Sequence, residues 1–114
     1  MPSESPDTDH PDRIKADLHF VAASLALLDS EPSSDPREHW HWLNARLVQL
    51  YSLSELAGRL ADAYEEQDDR SSAAALDELT EHYGHQHHLA AIAVEDYRPT
   101  AVRLACAPAA PPGE

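Results

Sequence analysis

The segment from Asp35 to Gln67, DPREHWHWLNARLVQLYSLSELAGRLADAYEEQ, reads as one long helix with apolar residues on two separate faces. Its start is marked three ways. Asp35 is a good N-cap, Pro36 suits the first helical position, and Glu38 stands where a capping box places its acid. Leu43, Leu47, Leu50, Ser54, Ala57, Ala61 and Tyr64 then recur at alternating steps of four and three, along one side of a 3.6-residue helix. Trp40 and Tyr51 widen that stripe. Trp42, Leu53, Leu56 and Leu60 form a second stripe, displaced by more than a quarter turn.

A surface helix buries a single apolar arc, so a helix with two is either central in a bundle or shared between subunits. At 1.5 Å per residue it spans about 45 Å, more than the width of a compact domain of this size. The expectation is that Gly58 bends it or that a partner covers the excess. Trp42, Leu53, Leu56 and Leu60 are accordingly assigned to an interface with a second copy.

The other helices follow from the same periodicity. Pro11 opens the first, where Ile14, Leu18, Val21, Leu25 and Leu28 keep steps of four and three, with Phe20 and Leu27 to one side. It ends by Ser30, because Pro32 disfavours a helical residue before it. After the polar break EEQDDRSS, a third helix is expected over 71–98, ending before Pro99, with a core stripe of Leu76, Leu79, Tyr83, His87, Ala90, Val94 and Tyr97. Ala57, Gly58 and Ala61 are expected to face the run Ala73 to Ala75.

Residues 1–10 read as a disordered acidic lead, and 99–114 as a mobile Pro/Ala-rich tail. The predicted fold class is all-α: a three-helix antiparallel bundle (about 11–30, 36–67 and 71–98) built on one long helical hairpin and completed by dimerisation.

Charge limits the partners. A formal net charge of −13 over 114 residues repels phosphate backbones and anionic lipid, so neither nucleic acid nor membrane is an expected partner, whereas a basic protein would be attracted. Cys106 is the single cysteine, which excludes an internal disulfide and a cysteine-based zinc site. No run of about 18 apolar residues is present, and MPSESPDTDHPD lacks the basic and apolar parts of a signal peptide. A soluble, cytoplasmic protein is the expectation. Arginine outnumbers lysine seven to one, a bias that with the high alanine content suggests a GC-rich, bacterial genome.

The histidines are the only chemically suggestive group. Glu78, Glu81, His82, His85 and His88 are three or four residues apart and project from one side of the third helix. Imidazoles at that spacing suit zinc or nickel, which makes Glu81, His82, His85 and His88 the candidate metal ligands. Leu89 and Ile92 continue that side and, exposed on a monomer, mark it as an interface. The same set without metal reads as a solvated face of ordinary Glu–His pairs. His39 and His41 lie level with about Pro99, some 15 Å beyond His88 along the hairpin, too far to complete a site within one chain.

No nucleophile elbow, phosphate-binding glycine loop or di-iron Glu-x-x-His motif is present, so enzymatic activity is not expected. The sequence supports three functional readings. The first is a homodimeric, non-enzymatic interaction module; the second is a metal or small-ligand binder using the His/Glu face. The third is an acidic mimic of nucleic acid carried by Asp62, Glu65, Glu66, Asp68 and Asp69.

Overall fold

A computed structural model describes residues 11–31 and 34–106. The expected lead at 1–10, the Pro32 turn and the tail beyond Cys106 lie outside the described residues. Those described form three helices and no strand: α1 (Pro11–Ser30), α2 (Pro36–Glu66) and α3 (Arg70–Cys106). None of them is long and apolar enough to cross a membrane.

Local chemistry sets the ends of α2. At its start the Asp35 carboxylate accepts the Arg37 backbone N–H at 2.9 Å, satisfying one of the donors a helix N-terminus leaves over. At its end Asp68 takes the left-handed conformation, with φ of 62°. The Asp68 N–H reaches Glu65 O at 3.0 Å and the Asp69 N–H reaches Tyr64 O at 2.9 Å. This is the Schellman closure, with aspartate where glycine is usual. Asp69 then caps α3, its Oδ1 accepting the Ser72 N–H at 3.1 Å. One tight turn therefore stops α2 and starts α3.

Helix α2 is the middle element. Both α1 and α3 pack on it, and the α1 and α3 backbones nowhere come within 8 Å of each other. Leu43, Leu50, Ala57 and Ala61 are buried on the α2 stripe expected to be inward. The second stripe is buried as well. Leu53 is 0% and Leu60 2% exposed, and Leu56 packs against the same core. Trp42 is half-buried, its indole N–H bonded to Leu28 O at 2.8 Å.

Leu53 and Leu60 therefore lie inside the chain, with Trp42 and Leu56 half-covered beside them, and the stripe is not a surface left open for a second copy. The reason is that α1, through Ile14 and Leu18, covers the arc that α3 leaves open. Across the α2–α3 contact Gly58 faces Thr80 and Gly84 faces Ser54. The expected meeting of Gly58 with Ala73 to Ala75 is replaced by this register.

A second correction concerns Pro99. Helix α3 does not end before it; it continues through Pro99 to Cys106. Proline inside a helix costs about 3 kcal/mol, because it donates no hydrogen bond and its ring crowds the preceding turn. Contacts with the start of α2 oppose that cost. The Tyr97 hydroxyl donates to Pro36 O at 2.9 Å. Arg37 Nη2 donates to Leu104 O at 2.9 Å, serving one of the carbonyls that a helix C-terminus leaves without a partner. The extension covers the first turns of α2 within the same chain, so the length of α2 needs neither a bend at Gly58 nor an outside partner. Pro99→Ala should slow amide exchange over residues 101–106 by at least about tenfold, the equivalent of 1.4 kcal/mol. Unchanged exchange there would show that the helix end is limited by fraying and not by the proline.

Candidate functional site

Outside the core stand a polar face on α3, an aromatic cluster at the start of α2, an acidic group at its end, and exposed apolar residues on all three helices. On α3, Glu81, His82, His85 and His88 are all exposed. They follow one another along the helix without converging, for no three His, Cys, Asp or Glu side chains are gathered as a metal would need among the described residues. Two imidazoles one turn apart supply only half of a tetrahedral set, and the remainder must come from another element. Here the face points away from α2, and none is near. His82 leans on the Tyr83 ring at 5.5 Å.

His87 is half-buried on the inward stripe, where its ring meets that of Tyr51 at 5.6 Å. The Tyr51 hydroxyl donates to Glu55 at 2.8 Å. That hydrogen bond, then the carboxylate charge, raises the phenol above its ordinary value. Further along α3, Arg98 bonds Glu95 at 2.8 Å and holds its carboxyl below the usual range. Both pairs stand in solvent and contribute little to stability.

Aromatic rings collect where α2 begins. His39 stacks on Trp42 at 5.6 Å and meets the edge of Tyr97 at 4.9 Å, while Arg46 lies over Trp42 at 6.0 Å. Arg46 also pairs with Asp29 of α1 at 2.9 Å. This cluster ties all three helices together at one end. Beside it Arg37, Trp40, His41, Ala101, Leu104 and Ala105 line an open cleft of about 280 Å³. His39 does reach the level of Tyr97, as the hairpin arithmetic requires, and thus stands far from His88. The acidic group Asp62, Glu65, Glu66, Asp68 and Asp69 sits at the end of α2 and in the turn that follows.

The exposed apolar residues are large. Leu89 and Ile92 are each 45% exposed on the outer side of α3. Phe20 and Leu27 are each 73% exposed on α1, more open than any other large apolar side chain described. The sequence placed both beside the α1 stripe without assigning them a role. Their spacing of seven, two whole turns, was the signal available. Phe20 itself lines a shallow groove between α1 and α2, with Asp17, Val21, Ser52, Glu55 and Leu56.

Comparisons of the chain with protein families, with curated proteins and with solved structures return no match.

Proposed function

We propose that the chain is a non-enzymatic interaction module, a three-helix antiparallel unit centred on α2 that works as a homodimer. The observation that carries this reading is the outward exposure of Phe20, Leu27, Leu89 and Ile92 in a chain whose other large apolar side chains, Val48, Tyr51 and Val102 apart, are not exposed among the described residues. Large apolar groups cost about 25 cal/mol for each Å² left in water, and a helix face that exposes several of them marks a contact surface. The titratable groups agree with such a role, since the described histidines and carboxylates are exposed, His39, His87 and Asp69 apart.

Native mass spectrometry and light scattering at micromolar concentration test the reading. The expected result is a dimer without bound metal. A monomer across that range overturns it.

A further inference from the structure

Resting on that reading, we infer that the pairing surface is the outer face of α1, and that two copies meet there with their α1 helices antiparallel about a two-fold axis. Ala16, Phe20, Ala23 and Leu27 follow steps of four, three and four, the spacing of a coiled-coil seam. At 100° per residue they fall within an arc of about 60°. All four are exposed. The inward residues Ile14, Leu18, Val21 and Leu25 lie on the opposite side of the helix, and Phe20 stands at the edge of the seam that borders the α1–α2 groove, so a second copy laid on this seam approaches the face of α1 opposite its core face.

The seam matches itself. In an antiparallel pair that sets Ala16 against Leu27 of the second copy, Phe20 falls against Ala23, and the two-fold repeats both contacts. Each large side chain meets a small one, which is how facing apolar surfaces interlock without voids. A parallel pairing would instead stack Phe20 on Phe20 and leave the alanines facing each other across a gap.

Charge favours the same orientation. Arg13 stands in the first turn of α1, and Glu31 follows directly on its last residue, Ser30. In the antiparallel pair like flanks face each other, and Arg13 of each copy falls within one residue of Glu31 of the other. Two symmetric ion pairs result. Asp12, on the other flank, falls level with Glu31 of the other copy and one residue from its Ser30. In the parallel alternative Arg13 would meet the Arg13 level of its mate and Glu31 the Glu31 level. Both are exposed, so these pairs select orientation more than they add affinity.

The occupant is therefore a second copy of this chain. Sedimentation equilibrium on the full chain and on five variants tests this, with circular dichroism confirming that each variant folds. Phe20→Glu and Leu27→Glu should each weaken the dimer by about a hundredfold, since a charge is placed at the centre of a small apolar contact. Arg13→Glu should weaken it by a smaller factor. Adding Glu31→Arg to Arg13→Glu should restore it, because the pair is then reversed and not lost. If Phe20→Glu and Leu27→Glu dimerise like the unmodified chain, the α1 face is wrong. If Leu89→Glu dissociates that dimer instead, the interaction reading stands on α3 while the α1 assignment falls. If the charge reversal does not restore binding, the antiparallel orientation is overturned. An unmodified chain that is monomeric throughout removes both the reading and this inference.

Discussion

Leu53→Ala should lower the free energy of unfolding by roughly 3 kcal/mol and the melting temperature by more than about 10 °C. Leu53 is 0% exposed and belongs to a core that also holds Ile14 and Leu18 of α1 and Ala90 of α3. A cavity at that point is bounded by three helices, each fixed by contacts elsewhere, so none can shift inward to fill it. Large-to-small substitutions cost most where the surroundings cannot collapse. Leu56→Ala, half-buried in the open α1–α2 groove, should cost about 1 kcal/mol, because water can occupy the space.

The Leu53 effect also separates two accounts of the second α2 stripe. If the stripe is internal, the drop in melting temperature is the same at any protein concentration. If Leu53 instead met a second copy, its loss would act through association and would shrink on dilution, as both proteins dissociate. Thermal unfolding of Leu53→Ala at two concentrations tenfold apart decides between them. A concentration-dependent drop would overturn the placement of α1 on α2.

That stripe also shows how far the sequence could be read. Capping residues act over three or four positions, so Asp35, Pro36 and the EEQDDRSS break were legible from local order alone. Periodicity was equally legible, and both apolar arcs of α2 could be drawn before any contact was known. What covers an arc is a different kind of information. A helical wheel gives directions from one axis and says nothing of which neighbour lies there; Trp42, Leu53, Leu56 and Leu60 pointed towards a partner only because α1 had not been placed.

Pro99 misled for a related reason. The rule that proline ends a helix describes an isolated segment, and here Tyr97 to Pro36 O and Arg37 to Leu104 O hold the chain beyond it. Those bonds span more than 60 residues and left no local trace. The candidate metal set met the same limit. Spacing put Glu81, His82, His85 and His88 on one side of α3, but convergence needs a second element, and the topology supplies none on that side. Phe20 and Leu27 were visible throughout as a pair two turns apart. Their meaning came only once α1 was seen to have a covered face and an open one.

Trp42→Ala should be the second most damaging change, costing about 3 kcal/mol. The indole is the piece that fastens α1 to the rest of the molecule. Helix α1 has no basic residue in its last turn, so the negative end of its dipole and its final carbonyls need partners from elsewhere. Ser30 serves Leu27 O at 2.8 Å, the Trp42 indole N–H serves Leu28 O at 2.8 Å, and Arg46, lying over the same indole, holds Asp29 at 2.9 Å. Truncation to alanine removes the donor, the surface on which His39 stacks and the ring beneath Arg46 together. Trp42→Phe keeps most of the stacking surface and loses only the donor, so it should cost about 1 kcal/mol. Amide exchange distinguishes this account from a general loss of core. Protection should fall first over residues 25–30 of α1, and α3 beyond residue 80 should keep its protection until global unfolding. Uniform loss along all three helices would mean that Trp42 stabilises the whole core and not the docking of α1. A Trp42→Ala variant as stable as the unmodified chain would show that α1 is held along its length by Ile14 and Leu18 alone.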